Sequence, residues 1–599
     1  MKPVADKNKW LVYGLGFGFV TLLFIGLSFF FDFYFDLNDD VLIKDIISGT
    51  YTGTPNGHSI QMLYPLGLLL SLPYFVLPSV PWFGLFEIGC MIVSFGLISV
   101  AGIKRMEKKS HQVMASVALT ILYLCLYAWE MTMVHYSVVC ALLAAAATVW
   151  FCTTENGLSP KDFYKKNAVT IVLVVLAFLI RTEMLLLMCP FIAVAGVIKW
   201  SKEEKVFAPD SLKNYLGMVC CIAVFMILSL GIDKLAYSDA GWKEFRNFFD
   251  ARTEVYDFTG IPEYETNKDF YESIGLGKEE YVLLENYNFG LSSEIDTDLL
   301  NRIAEYAASQ KADENAVSKL VQASKESVKQ LFHISVPWED NNYESSLFSE
   351  DGKNHEPFNL LIIMGYLLVI TLAIWNKDKQ FIWKIPVMLL ARSVAWIYIL
   401  YRGRVVDRIT YPLYLMELAL IFGVVLIEMK DSFKKMLFAA FVIVLVISGL
   451  YLPGKFEKIS VKQELRQNEN EVYDYMCRYM EASDKNYYFV DVYSTVSFSE
   501  KIFVAPVNKS NWEILGGWAN KSPLSEEKTG KYGFTNKTVQ DAFAGNENVF
   551  FVAEEGADIS WITDFYKGQN LSVKVKEVFE FWMEDGPGKK MYGYQISME

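Results

Sequence analysis

The chain has 599 residues, 53% of them hydrophobic, with a formal net charge of −14 and a positive mean hydropathy. Positive hydropathy in repeated apolar runs excludes a string of soluble globules and describes a membrane core, so length here counts spans. The acidic balance without a basic stripe excludes nucleic-acid binding. Seven of the eight cysteines lie in apolar runs and only Cys477 in a water-facing segment, which leaves no disulfide framework and no CxxC metal site.

The first run, Leu11 to Phe31, holds 21 residues without a charge behind Lys2, Lys7 and Lys9. It is long enough to cross a bilayer and no small-residue cleavage site follows, which predicts a retained signal-anchor helix. An acidic first external loop, 32–59, comes next. Further apolar runs occupy roughly 60–80, 83–103, 112–128, 133–152, 168–180, 184–198, 214–232, 358–375, 381–401, 409–427 and 437–452. The richest short basic loops, Lys104 to Lys109, Lys161 to Lys166, Lys199 to Lys205, Lys377 to Lys384 and Lys430 to Lys435, are expected on the cytoplasmic side. That bias puts the N-terminus inside and the segments after 232 and after 453 outside. The 60–80 run breaks the alternation. It contains Pro65, Pro73 and Pro78 and is followed by Pro81, a density that interrupts a helix ladder. The expectation is eleven crossings plus one re-entrant or membrane-surface segment.

The 168–180 and 184–198 runs are short for crossings, at thirteen and fifteen residues, and between them sit Arg181, Thr182 and Glu183. A hairpin of short helices would hold those charges below the outer surface, a costly placement unless they pair or face a polar cavity. Residues 1–232 thus form an N-terminal transmembrane region, 233–356 an external, mainly helical domain with a polar helical pattern from Thr297 to Phe332, and 357–453 the remaining spans. Residues 454–599 read as an external α/β domain: a helix through Val472 to Met480, strands Tyr487 to Val492 and Val549 to Ala553, then Asp558 to Tyr566. Neither external segment carries a glycine-rich phosphate loop, a zinc spacing or a GxSxG elbow.

Two constellations carry chemistry. The first loop holds Asp32, Asp36, Asp39 and Asp40, then a turn-rich stretch ending at His58. Carboxylates just outside a membrane helix can take a proton from a hydroxyl nucleophile or hold a divalent cation; otherwise they belong to a solvated loop, with Asn38 or Asp39 capping a helix from Val41. The second constellation is cationic: Arg402, Arg404 and Arg408 follow a late span, Arg392 lies within it, and Arg181 sits at the hairpin apex. Positive charge outside runs against the loop bias, and guanidinium forks match phosphate oxygens. The competing reading pairs Arg404 and Arg408 with Asp407 or the acidic external domain, and Arg181 with Glu183. For Glu87, Glu130 and Glu417, structural hydrogen bonding is expected. His135 reads as a helix-packing residue, and Trp82, Trp129 and Trp375 as interfacial anchors.

A signal anchor, an acidic first loop "FDLNDDVLIKDIISGTYTGTPNGH", many spans and an external C-terminal domain together resemble the GT-C superfamily of polyprenyl-phosphate-sugar-dependent glycosyltransferases. "RITYPLYLMELA" is similar to the Arg-Tyr-Pro pattern opening a late helix in several of those families, at Arg408, Tyr411 and Pro412, although Ile409 and Thr410 interrupt it. The likeness covers Met1 to about Pro453. It implies a GT-C-like polytopic α-helical fold and a catalytic base or metal ligand at Asp39 or Asp40. It also implies donor-phosphate binding by Arg181, Arg404 and Arg408, and inversion at the anomeric carbon. The expected substrates are a polyprenyl-phosphate sugar in the lipid and a hydroxyl of a glycan, lipid or protein. Substrate-binding candidates are His58, Arg181, Glu183, Arg392, Arg402, Arg404, Arg408 and Tyr411. Two rival readings are a transporter or flippase of lipid-linked glycans, which predicts inverted repeats, and a non-catalytic scaffold of surface-polymer assembly.

Overall fold

The computed structural model describes residues 9–36, 38–311, 316–332, 357–430, 434–496, 498–581 and 590–599. Lys2 and Lys7, the stretch 333–356 and most of the 430–435 loop lie outside them. In chain order the N-terminal part carries helix α1 (Lys9–Ser28), strand β1 (Tyr34–Phe35), and helices α2 (Asn38–Ser48), α3 (Tyr64–Ser71), α4 (Trp82–Ile103) and α5 (Lys109–Thr132). Strand β2 (Met133–Val134) follows, then α6 (Tyr136–Thr153), α7 (Pro160–Ile180), α8 (Thr182–Trp200) and α9 (Pro209–Ala236). The middle contains α10 (Ala240–Thr253), α11 (Lys268–Ser273), α12 (Lys278–Glu285), α13 (Thr297–Lys311) and α14 (Ala316–Gln330). Next come α15 (Phe358–Trp375), α16 (Phe381–Arg402), α17 (Asp407–Glu428) and α18 (Lys434–Glu481). The C-terminal part has β3 (Tyr487–Val490), β4 (Trp512–Ile514), α19 (Pro523–Gly530), α20 (Val539–Gly545), β5 (Val549–Glu554), α21 (Ser560–Gly568), β6 (Val573–Phe581) and β7 (Met591–Met598).

The chain divides into two compact units, and the division departs from the four consecutive domains expected. The first unit comprises the described residues of Met1–Asp36, Gly84–Leu230 and Ala316–Lys462; the second comprises those of Leu37–Phe83, Gly231–Asn315 and Gln463–Glu599. The first loop, the helical insertion up to 315 and the tail therefore belong to one body. Helix α14 belongs instead to the first unit, where it packs beside α16.

Eleven helices of the described residues are long and apolar enough to cross a membrane. Over the stretch that would cross, each is predominantly apolar, as a bilayer requires. In the first unit α6 is the central helix: nearly all of it is buried, and α17, α7 and α8 pack around it. Along α9, by contrast, Val219, Phe225, Ile227, Leu228 and Leu235 are exposed. Two expectations are corrected. The short runs 168–180 and 184–198 are the apolar parts of full-length helices of 21 and 19 residues, because Lys161, Asp162, Lys165 and Lys166 extend the first as its opening turns. Only Arg181 lies between the two. Likewise Pro453 does not end a span, since α18 runs through it for 48 residues.

The 60–80 run forms no spanning helix; its apolar helical part is Tyr64–Phe75. Pro65 opens α3, where a missing N–H costs nothing, and Pro73 lies in the tighter turn that ends it. Within the second unit, strands β4, β3 and β5 are parallel and β5, β7 and β6 antiparallel, giving the sheet order β4-β3-β5-β7-β6. One face packs on α10, α12, α13, α20 and α21 through Phe489, Phe551, Phe543 and Ile562; the other packs on Val472, Met476 and Met480 of α18. The tail is thus α/β as its alternation predicted, and Cys477 is buried in that second core.

Candidate functional site

The two ends of the first unit's helical bundle differ in chemistry. At one end lie the turns between α4 and α5, α8 and α9, and α15 and α16. Lys202 and Lys384 both reach Asp378 (3.3 and 2.9 Å) and Glu428 (2.7 Å each). Burial alone would raise the Asp378 carboxyl, but its hydrogen bond from Lys384 and the backbone N–H of Gln380 hold it down to about 2. Asn376 closes the cluster on the Glu428 carbonyl at 3.0 Å, and Arg105 caps the end of α17 on the Leu426 carbonyl at 3.0 Å. Within the cluster two lysines are balanced by two carboxylates.

At the opposite end the chain turns between α5 and α6, α7 and α8, and α16 and α17. Strand β1 pairs in parallel with β2 there, with the Asp36 N–H donating to Val134 O at 2.9 Å. His135 caps α6, its Nδ1 accepting the Ser137 N–H at 3.0 Å, which leaves Nε2 carrying the proton. Burial, then the charges of Arg408 and Arg181, hold its imidazole neutral, well below the ordinary histidine range. Arg181 forms the single-residue joint between α7 and α8, donates to the Tyr136 hydroxyl and lies 4.7 Å from that ring's centre. Glu183 is exposed in the first turn of α8. Gly403, at φ +69°, ends α16 in the left-handed conformation and sends Arg404 on towards α17, whose first turn carries Arg408. Arg408 is half-buried and forms no ion pair among the described residues. Arg402 is exposed and Arg404 half-exposed.

Helix α18 adds cations that sequence reasoning left in the tail domain. Lys455, Lys458 and Lys462 recur at a spacing of three and four, so they share one helix face. They line a small cleft with Trp129, Asp407 and Tyr411, and Lys462 lies 4.8 Å from the Trp129 ring centre. Tyr411 is buried, packed edge-on against Phe358. Leu126 borders this cleft and also an apolar cavity of about 410 Å³, walled by Phe95, Tyr123, Met364, Leu415 and Phe441 of the spans. A small cationic cleft and a hydrocarbon-lined cavity thus lie on either side of Leu126.

The remaining predicted residues lie elsewhere. Arg392 is 3% exposed, ion-paired with Glu417 and within 3.4 Å of Asn359 Oδ1, while Glu417 also accepts the Tyr366 hydroxyl at 3.0 Å. This is a closed pair inside the bundle, so Arg392 is corrected to a structural role and Glu417 keeps the one expected. In the second unit, Asp39 and Asp40 open α2 at 8% and 0% exposure. The helix starts at Asn38, and burial removes the solvated-loop reading: two buried carboxylates in one helix turn need the N-terminal dipole and partners to persist. His58 is also structural. Its Nδ1 lies 2.8 Å from Asn56 Oδ1, its Nε2 lies 3.2 Å from the Ala236 carbonyl, and its ring stacks on Trp242. Both ring nitrogens face oxygens of the protein, so the fold holds the ring in place. Among the described residues no three carboxylate, thiol or imidazole groups gather as a metal site.

Sequence reasoning missed a buried ring of charges in the second unit. Lys44 and Lys509 alternate with Asp45 and Glu500, with Lys44 and Lys509 each 2.7 Å from Asp45 and each also bonded to Glu500. Burial works to raise the Glu500 carboxyl, yet the two ammoniums hold it at about 2. The four residues come from segments over 450 apart in sequence, so no local spacing announces them.

Searches against protein-family models, curated proteins and solved structures give no match for this chain.

Proposed function

We propose that the protein is a glycosyltransferase that moves a sugar from a polyprenyl-phosphate-linked donor to a hydroxyl of a cell-surface glycan, lipid or protein at the outer membrane face. The observation that carries the reading is a cleft lined by Lys455, Lys458 and Lys462 next to an apolar cavity of about 410 Å³ within the spans, Leu126 lining both. An amphiphile with an anionic head and a long hydrocarbon tail has the complementary shape and charge. With the five basic loops on the cytoplasmic side, the arginine end of the bundle faces outward.

In the reaction that the resemblance implies, the acceptor hydroxyl attacks the anomeric carbon and loses its proton to a carboxylate base, the role the resemblance gives Asp39 or Asp40, and the bond from that carbon to the phosphate oxygen breaks. The departing lipid phosphate gains negative charge, which Arg181, Arg408 and Lys458 stabilise as fixed cations, without solvent reorganisation. A divalent cation held by the Asp39 and Asp40 carboxylates is the alternative use of the same pair.

The test is reconstitution in vesicles with polyprenyl-phosphate sugars radiolabelled in the sugar, alongside a photo-crosslinking polyprenyl phosphate. The expected result is transfer lost in Asp40→Asn with crosslinking to α5 and α18 retained. Full transfer by Asp40→Asn sinks its role as base. Crosslinking that spares the cavity walls sinks the donor site.

A further inference from the structure

Helix α14 has three unlike sides. Ala323, Ser327 and Gln330 are buried and repeat every three or four residues, which gives the side turned to the bundle. Lys325 and Lys329, four apart, are exposed on a second side. Leu320, Val321 and Val328 are 48%, 46% and 61% exposed and fall within about 100° of one another around the helix, forming a third. Phe332, in the turn that follows, is exposed as well. A helix facing water would carry polar groups along that third side.

Contacts at both ends of α14 fix where the apolar stripe lies on the first unit. The Lys319 ammonium is 5.2 Å from the ring centre of Tyr401, next to the end of α16. At the other end the Gln330 carbonyl accepts from Asn359 Nδ2 at 2.7 Å, and Asn359 Oδ1 lies 3.4 Å from Arg392 Nη2. Helix α14 thus runs beside α16 from Tyr401 towards Arg392, about nine residues or roughly 14 Å of that helix. Tyr401 shares its helix face with Leu390, Val394 and Tyr398, at spacings of four, four and three, and all three of these are exposed. The stripe is therefore a sideways continuation of the apolar flank that a candidate span presents.

That continuity selects the occupant. Where α16 crosses a bilayer, acyl chains lie against Leu390, Val394 and Tyr398, and the same chains reach Leu320, Val321 and Val328. A soluble partner on this stripe would have to displace lipid from α16 as well. Lysine stems lie along apolar surface while their ammoniums reach the phosphate layer, which suits Lys325 and Lys329 at the edge of the stripe. We propose that α14 is an amphipathic helix half-sunk in the leaflet at the arginine end of the bundle, with its apolar stripe on acyl chains and Lys325 and Lys329 at the lipid phosphates. The inference rests on α16 crossing a bilayer and not on the transferase reading. It takes residues 316–332 out of the external helical domain expected for 233–356.

The test places photoreactive p-benzoylphenylalanine singly at Leu320, Val328, Gln322 and Ile227 of the full-length protein in vesicles of phosphatidylglycerol and phosphatidylcholine, with adducts read by mass spectrometry. Ile227 is exposed on the candidate span α9 and Gln322 is exposed on the polar side of α14, so they are the lipid and water references. Lipid adducts are expected at Leu320, Val328 and Ile227, with roughly tenfold less at Gln322. Leu320→Glu combined with Val328→Glu should lower the melting temperature in vesicles, because surface sites in water tolerate such changes and sites in lipid do not. Lipid adduct at Ile227 but not at Leu320 or Val328 overturns the proposal, as do adducts there to protein in place of lipid, equal lipid labelling at Gln322, or an unchanged melting temperature in the double variant. Absence of lipid adduct at Ile227 as well removes the membrane crossing on which the proposal rests.

Discussion

The two ends of the helical bundle use their cationic side chains differently. At the lysine end, Lys202 and Lys384 share Asp378 and Glu428, and Arg105 caps a helix carbonyl, so each charge is answered by the fold itself. At the arginine end, Arg181 donates to the Tyr136 hydroxyl, Lys455, Lys458 and Lys462 share a cleft with Asp407, and a neutral imidazole feels the charges of Arg408 and Arg181. The difference separates charge balanced by carboxylates from charge held by neutral groups such as the Tyr136 hydroxyl. A carboxylate within 3 Å makes a lysine a structural strut. Arg392 shows that position in the bundle does not decide the matter, because it is fully answered by Glu417.

Substitutions at the two ends separate these uses of charge. Glu417→Leu leaves a buried guanidinium without its carboxylate and should cost about 3–5 kcal/mol, whereas the double change Arg392→Met with Glu417→Leu should recover most of that loss; thermal unfolding in detergent reads both. Arg408→Ala should do the reverse, lowering donor-dependent transfer by about 10²–10³-fold with little change in melting temperature. A melting temperature that falls as far as in Glu417→Leu would place Arg408 among the struts. Lys384→Met should cost roughly 1.5–3 kcal/mol, because Lys202 still holds Glu428.

The smallest effects are those of pH. Glu500 and Asp378 have folded values held near 2, against 4.5 and 3.8 when unperturbed. Their stabilisation is thus complete above the unfolded values and is lost as pH falls towards 2. His58 is lowered, first by burial, so its contribution has the same sign at higher pH: stability declines as pH falls below about 6.5. Acid titration of the melting temperature should show both steps, and Glu500→Gln should flatten the lower one.

Much of the fold was legible in the sequence because membrane crossing depends on length and composition alone. Twenty apolar residues satisfy a bilayer whatever their neighbours, and proline density ruled out 60–80 by a local argument about hydrogen bonds. The alternation of the tail was legible for the same reason, since strand and helix periods are local. Boundaries were less so: polar turns extended α7, and α18 ran on past Pro453, because tertiary contacts on one face can carry a helix beyond the apolar stretch that announces it.

The site was only half legible. Arg181 and Arg408 stood out because positive charge there opposed the loop bias, and Lys455, Lys458 and Lys462 could have been found by their helical spacing. The cavity bordered by Leu126, the ring of Lys44, Asp45, Glu500 and Lys509, and the pairing of Arg392 with Glu417 were decided by tertiary structure alone. Sequence fixes which groups carry charge and which segments prefer lipid. Whether a given charge is answered depends on what lies within 3 Å of it, and chain folding brings those partners from hundreds of residues away.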